Sequence, residues 1–174
     1  RPWEQRYLMP LSRVLSELER ELESRYKIYK LRDALGKLED EYDRIYIDTP
    51  PNFNFFSKSA LIAADAVLVP FDCDSFARQS LYALTENIAE LREDHNPELV
   101  IEGIVINQFN AQARLPAELV AELEEEGFPV LATYLNSSVK MRESHHTRRP
   151  LIDLAPSHKL TAQYRALHAE LEAG

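Results

Sequence analysis

Asp48 is the side chain whose type and position point most directly to chemistry. It ends the stretch Arg44–Asp48, whose middle residues are isoleucine and tyrosine, and Thr49, Pro50 and Pro51 follow. A run of β-branched and aromatic residues predicts a buried strand of a parallel sheet, with Asp48 at the carboxyl edge where such sheets bind ligands. A short carboxylate there is suited to holding a magnesium ion, directly or through water. From spacing alone, an aspartate that only caps the strand end is an equal alternative.

Polar side chains also follow the other predicted strands. Asp72 and Asp74 come after the second strand, Asn107 ends the third, and Asn136 follows the fourth. Because the carboxyl ends of parallel strands gather along one edge, we expect these groups to lie near each other. A carboxylate for a metal ion and an amide able to read a purine would together suit a nucleotide. Taken singly, each residue is also explained by the turn that ends its strand.

A basic segment over residues 140–149 is the second candidate site. Lys140, Arg142, Arg148 and Arg149 stand against Glu143, a local excess of three positive charges on a chain of net charge −9. Cations clustered in this way would neutralise phosphates and bind DNA without sequence preference, in a salt-sensitive manner. The alternative is a solvated loop with a few ion pairs.

The elements that must position these residues alternate along the chain. Apolar residues at three- and four-residue steps predict helices, and short β-rich runs predict strands. The alternation predicts an α/β fold, with a mostly parallel sheet covered by helices on both faces. Helices are predicted over 11–24, 31–38, 56–64, 76–94 and 115–123 and after Ser157, and one or two helical turns over 138–147. Strands are predicted over 44–48, 66–71, 99–109 and 130–135, and an extended piece over 150–154.

Composition and length narrow the class of protein. The 174 residues, 45% of them hydrophobic and 28% charged, predict a single globular domain over 1–174. No apolar run approaches the roughly 20 residues of a membrane span, and no secretory signal is visible at the first residues. Cys73 is the single cysteine, which excludes an internal disulfide and fits a reducing compartment. We therefore expect a cytoplasmic protein without a membrane partner.

Four blocks of sequence, in a fixed order, carry a family resemblance. The blocks are Tyr42-Asp43-Arg44-Ile45-Tyr46-Ile47-Asp48-Thr49-Pro50-Pro51, Ala63-Ala64-Asp65-Ala66-Val67-Leu68-Val69-Pro70, Ile101-Glu102-Gly103-Ile104-Val105-Ile106-Asn107, and Val139-Lys140-Met141-Arg142-Glu143-Ser144 with Arg149-Pro150-Leu151-Ile152. They resemble the ParA/MinD partition and positioning ATPases, and the ParA branch most closely, from about Leu8 to Leu171. The resemblance implies a P-loop NTPase-like fold that binds ATP and magnesium.

The resemblance also implies roles for individual residues. Asp48 matches the Walker B/switch II aspartate that supports magnesium at the γ-phosphate, and so counts as the catalytic and metal residue. Asn107 matches a residue beside the adenine, and Asn136 is a second candidate for cofactor binding. Proteins of this kind form ATP-dependent homodimers that bind DNA non-specifically through basic C-terminal residues. They associate with the bacterial nucleoid, and a ParB-like protein stimulates their ATP hydrolysis.

One departure from the family pattern concerns the phosphate-binding loop. A P-loop ATPase needs a glycine-rich loop that ends in lysine and threonine, but the four glycines, Gly36, Gly103, Gly127 and Gly174, stand far apart. The chain therefore resembles the C-terminal portion of a ParA-like protein, the part after switch I and without Walker A. We expect no measurable ATP turnover from these 174 residues alone.

Two other functions are weighed against the partition ATPase. A non-catalytic adaptor or regulatory protein of the same fold would work through protein contacts alone. A glycine-rich loop encoded upstream would favour the ATPase, and an immediate start codon would favour the adaptor. A MinD-like membrane-positioning protein would need a basic amphipathic helix at its end, whereas residues 166–172 are acidic.

Overall fold

A computed structural model of the chain describes residues 27–73, 77–110 and 112–173. The helix predicted over 11–24 and Asp74 lie outside these residues. The described part contains two strands and seven helices. In chain order they are α1 (Lys30–Leu35), α2 (Phe55–Ala63), β1 (Ala66–Asp72), α3 (Ala77–Asp94), β2 (Val100–Asn107), α4 (Arg114–Glu125), α5 (Val139–Thr147), α6 (Leu151–Leu154) and α7 (Lys159–Ala173).

The two strands form a parallel ladder. Ala66 is opposite Val100 at its start and Asp72 is opposite Asn107 at its end, with one register irregularity after Val67. Both strands therefore stop at the same carboxyl edge. This ladder confirms two of the four predicted strands to within two residues at each end.

The strand predicted over 130–135 joins this sheet only through isolated bridges. Ile104 bridges Val130, and Phe109 bridges Asn136, both in parallel orientation. Between these bridges the N–H groups of Ala132 and Thr133 donate to the Glu170 carboxylate, at 2.7 and 3.0 Å, instead of joining a ladder. The predicted strand is therefore wrong as a continuous element, because a side chain of α7 takes two of its backbone donors.

The strand predicted over 44–48 is also wrong. Residues 44–50 have no regular secondary structure, and Ile45 and Tyr46 are 42% and 69% exposed. A β-strand is stabilised by hydrogen bonds to a neighbour, and neither described strand pairs with this segment. The sequence pattern identifies residues that are able to form a strand but does not supply the partner.

Helices cover both faces of the sheet, as the predicted α/β fold requires. Along β1 and β2 successive side chains alternate between the faces. One face packs Val69, Phe71, Ile104 and Ile106 against Leu81 of α3 and Val120 and Leu123 of α4. The opposite face packs Val105, with Leu68 beside it, against Leu135, Leu151, Leu160 and Leu167. Burial on both faces explains why the two strands are nearly continuous apolar runs.

The helices follow the predicted periodicity closely. The helix predicted over 31–38 ends earlier, at Leu35, and residues 150–154, predicted to be extended, instead contain the one-turn helix α6. Asn54 caps α2 by accepting hydrogen bonds from the N–H groups of Phe56 and Ser57, both at 3.1 Å. Within the described ranges, no helix combines the length and apolar character needed to cross a membrane.

Candidate functional site

The carboxyl edge of the sheet holds a cluster of one carboxylate and two amides. Asp72 ends β1, and its two side-chain oxygens accept hydrogen bonds from the last residue of β2 and from the residue that follows it. Oδ1 accepts from Asn107 Nδ2 at 2.8 Å, and Oδ2 accepts from Gln108 Nε2 at 2.7 Å. We call these three residues the amide clasp. The expectation that Asp72 and Asn107 lie close together is confirmed.

Gln108 reaches Asp72 from an unusual backbone conformation. Its φ of 51° lies in the left-handed region, which few residues other than glycine adopt. The turn ends β2 and leads into Phe109, whose N–H donates to Leu135 O at 2.9 Å. A conformation of this kind persists where the surrounding contacts determine it, and such positions are found disproportionately at functional sites.

Asn136 lies at the same edge but is bound to the protein on several sides. Its Nδ2 donates to Phe109 O at 3.0 Å, and its backbone N–H donates to Gln163 Oε1 at 3.1 Å. Gln163 Nε2 in turn donates to Asn136 Oδ1. Asn136 is therefore joined to the residues that follow Asn107, but its side chain is held mainly as a link between the sheet edge and α7.

Helix α7 fixes the loop that leads to Asn136 at a second point. Glu170 lies seven residues after Gln163, on the same face of the helix, and accepts the N–H groups of Ala132 and Thr133. Partial burial would raise the pKa of Glu170, but hydrogen bonds from Thr133 and Ala132 outweigh it and lower the pKa below its ordinary value. The carboxylate is therefore stabilised in its charged form.

Tyr134 closes this loop over the end of β2. Its ring packs edge-on against Phe109, with centroids 5.0 Å apart. Burial raises the pKa of Tyr134, and the neighbouring Glu124 carboxylate adds to the rise. The hydroxyl therefore stays protonated, as a donor, at neutral pH.

Asp48 is exposed and lies within the irregular segment 44–50. Both ends of that segment are attached: Arg44 donates to Leu171 O at 3.4 Å and pairs with Glu172 at 3.2 Å, and Pro50 O accepts from the Ser57 hydroxyl at 3.4 Å. No group of three metal-binding side chains occurs among residues 27–73, 77–110 and 112–173. A single exposed carboxylate fits a magnesium ion that takes its other ligands from phosphate and water oxygens.

The basic segment forms helix α5 and the turn after it. Ser138 caps the helix through the N–H of Lys140 at 3.1 Å, and Arg148, with φ of 52°, ends it. All four predicted cations are exposed. Lys140 pairs with Glu143 at 2.6 Å, so the local excess of charge rests mainly on the three arginines.

A cleft connects the basic segment to the sheet edge. It has a volume of about 390 Å³, and both Asn136 and Lys140 line it. Lys159, at the start of α7, adds a second lysine to the same cleft. Arg114, by contrast, pairs with Glu118 on α4 at 2.6 Å and is not among the cleft residues.

Sequence reasoning overlooked three residues of this region: Gln108, Gln163 and Glu170. A signal was present for each. Gln108 directly follows the strand-ending Asn107, and Gln163 and Glu170 are polar residues on the face of α7 that meets the loop. Their partners lie 27 to 38 residues away in sequence, which local patterns do not reveal.

Comparison with known proteins identifies the family. A family model described as an AAA domain matches residues 2–101, more than half of the chain. The chain belongs to the AAA-domain family. Within it the chain is of the ParA/MinD type, as its relatives indicate: it is 34% identical over 177 residues to the chromosome partitioning protein ParA of Myxococcus xanthus. That alignment covers 98% of this chain and 62% of the relative. A protein of Pseudomonas putida is 32% identical over 166 residues, and that alignment covers 94% of this chain and 63% of the relative.

Solved structures agree with this assignment at the level of the fold. The apo McdA structure from Cyanthece is similar with a TM-score of 0.78 and 20% identity, over 91% of this chain and 65% of that chain. Cobyrinic acid a,c-diamide synthase from Mycobacterium smegmatis, solved with a bound ATP analogue and magnesium, is similar with a TM-score of 0.60 and 25% identity. This second match covers 64% of this chain and 46% of that chain. The predicted P-loop NTPase-like α/β fold is confirmed.

Proposed function

We propose that the chain is the nucleotide-base and DNA-binding part of a ParA-type partition ATPase. The observation that carries this proposal is the amide clasp, which places Asn107 at the carboxyl edge of a parallel sheet in a chain of the ParA/MinD type. Open α/β sheets bind their ligands at this edge. The chain spans less than two thirds of the relatives it matches, so the activity belongs to the full-length gene product.

Asn107 and Asp48 bind different parts of the ligand in this proposal, the base and the magnesium-bound phosphates respectively. Asn107 contacts the adenine, and Asn136 supports the loop beside it. Asp48 holds magnesium through water near the γ-phosphate, for which an exposed carboxylate is suited. Magnesium, when bound, neutralises charge on the phosphate oxygens. The similar diamide synthase that binds an ATP analogue and magnesium supports this choice of ligands.

The basic segment binds the DNA backbone in the proposed function. Arg142, Arg148 and Arg149 are exposed and lie within eight residues of one another on α5 and its terminal turn. Exposed guanidinium groups bind phosphates without reading the bases. We further propose that ATP-bound full-length protein forms a homodimer on the nucleoid and that a ParB-like protein stimulates its hydrolysis. The support for this is the sequence resemblance to the ParA branch, to which the similar chromosome partitioning protein of Myxococcus xanthus belongs by name.

Calorimetric titration of the full-length gene product with ATP tests the proposal. We expect binding that weakens when magnesium is removed with a chelator, and Asp48→Ala should abolish that magnesium dependence. Asn107→Ala should weaken ATP binding about fivefold to tenfold, the value of one hydrogen bond. Asn87→Ala is the matched control, because Asn87 Nδ2 donates to Ala83 O of its own helix, α3, at 2.6 Å, and Asn87 is not part of the amide clasp.

Two results would contradict the proposal. One is the absence of ATP binding by the full-length gene product in the presence of magnesium. The other is ATP binding that Asn107→Ala and Asn87→Ala leave equally unchanged, because the ligand would then lie away from the sheet edge.

A further inference from the structure

The orientation of the Asn107 amide is set by Asp72. An asparagine amide carries a donor nitrogen and an acceptor oxygen, and an ionised carboxylate only accepts hydrogen bonds. At 2.8 Å from Asp72 Oδ1, the Asn107 amide must therefore present its nitrogen. Rotating the amide by half a turn would bring two oxygens together at hydrogen-bond distance. Asp72 thus selects one of the two orientations.

Asp72 is itself held in place from the same strand end. Gln108 Nε2 donates to its other oxygen, Oδ2, at 2.7 Å, from the left-handed turn that ends β2. Asp72 and Asn107 are also directly opposite each other in the ladder, so their backbones are fixed relative to one another. The carboxylate is therefore held through both oxygens, and the Asn107 amide is aligned against it.

This alignment determines what Asn107 offers to a ligand. Oδ1 lies on the opposite side of the amide from Nδ2, so a ligand that approaches from the side away from Asp72 meets a hydrogen-bond acceptor. An acceptor at this position pairs with the exocyclic amino group at position six of adenine. It faces the carbonyl oxygen at position six of guanine or hypoxanthine with no proton between them.

We propose that Asp72 is a specificity-determining residue, which selects a 6-amino purine over a 6-oxo purine by orienting the Asn107 amide. This inference rests on the proposed function, in which Asn107 meets the nucleotide base. It adds a selective role for a residue that does not itself touch the base.

The test compares ATP with inosine triphosphate, which carries oxygen in place of the amino group at position six. Equilibrium binding of both nucleotides to the full-length gene product gives the ratio of their dissociation constants. We expect the unmodified protein to prefer ATP by roughly tenfold, about the value of one hydrogen bond gained and one repulsion avoided. In Asp72→Asn, which preserves size but can donate as well as accept, the preference should fall to about twofold or less.

Three further variants separate selectivity from folding. Asp72→Glu keeps an acceptor-only group and should retain most of the preference. Asp65→Asn makes the same chemical change at an exposed position beside the start of β1 and should leave the ratio unchanged. Adding Asp72→Asn to Asn107→Ala should not change the ratio further, because no amide remains to be oriented.

The results that would overturn the role of Asp72 differ from the result that would overturn nucleotide binding. An ATP preference that Asp72→Asn leaves intact, or equal weakening of both nucleotides at a constant ratio, would overturn the inference while leaving the proposed function in place. Equal binding of the two nucleotides by the unmodified protein would do the same. Failure of the full-length gene product to bind either nucleotide would remove the proposed function, and this inference with it.

Discussion

Neutralising Arg148 and Arg149 is expected to weaken DNA binding to the same degree on every sequence. Both side chains are exposed at the end of α5, where they form no ion pair within the described part of the chain. Glutamine is the suitable replacement, because it removes the charge while keeping a long polar side chain. It also leaves the left-handed backbone of Arg148 with a residue no bulkier at its β-carbon.

The magnitude follows from counterion release. Each phosphate that a protein neutralises on duplex DNA contributes about −0.9 to the slope of log affinity against log salt concentration. Removing two cations should therefore make the slope shallower by about 1.8, so over a fourfold rise in salt the variant loses about tenfold less affinity than the unmodified protein. Lys140→Gln should have a smaller effect, because Glu143 already pairs with Lys140 at 2.6 Å.

Fluorescence anisotropy across a salt series, with ATP and magnesium present, measures both slopes. Two duplexes of equal length and unrelated sequence distinguish backbone contacts from base contacts. The control is a double variant, Lys37→Gln with Arg92→Gln, which removes the same total charge from exposed positions outside the basic segment. It should keep the slope of the unmodified protein.

Three results would refute this reasoning. A salt slope that is the same in the Arg148–Arg149 variant and in the unmodified protein would show that these arginines do not contact phosphates. Loss of binding to only one of the two duplexes would show that they read bases instead. An equal change of salt slope in the control variant and in the arginine variant would show that net charge alone, and not the position of the arginines, determines the slope.

Two further predictions concern stability, measured by chemical denaturation of the 174-residue chain. A methyl group at Gly103 would lie 2.6 Å from Leu131 Cγ. Gly103→Ala should therefore lower the free energy of unfolding by about 1–3 kcal/mol, and the same substitution should lower it by less in a chain that already carries Leu131→Ala. Gly36→Ala, with its nearest neighbour at 3.5 Å, is the control, and simple additivity of the first pair would contradict the clash. Glu170→Gln should cost about 1 kcal/mol at neutral pH. Folding lowers the pKa of Glu170 from 4.5. The difference in the free energy of unfolding between Glu170→Gln and the unmodified chain should therefore persist above pH 4.5 and vanish as the pH falls through the lowered pKa. A difference that stays constant with pH would contradict this prediction.

The sequence predicted the parts of the fold that depend on local pattern. Runs of apolar residues located β1 and β2, and three- and four-residue periodicity located the long helices α3 and α7. Both signals arise because buried positions carry apolar residues: one face of each helix is buried, and both faces of the sheet are buried. The order of apolar residues along the chain therefore shows these elements directly. The placement of Asp72 and Asn107 at one edge also followed, because parallel strands end at one edge, but the hydrogen bond between them was not predicted.

What the sequence could not predict depends on partners far along the chain. Residues 44–48 have strand-forming side chains, but no described strand lies beside them. The loop before Asn136 leaves the sheet because Glu170, 37 residues beyond Thr133, binds its backbone. Gln108 closes the amide clasp across 36 residues, from a backbone conformation that glutamine rarely adopts. Local propensity carries no information about contacts of this range.

The most direct test of the proposed site is a structure of the full-length gene product with a non-hydrolysable ATP analogue and magnesium. We expect the adenine at the carboxyl edge of β1 and β2, with its amino group about 3 Å from Asn107 Oδ1. We also expect Asn107 Nδ2 still to donate to Asp72. A base bound away from this edge, or an Asn107 amide that turns its nitrogen toward the base, would contradict the proposed site.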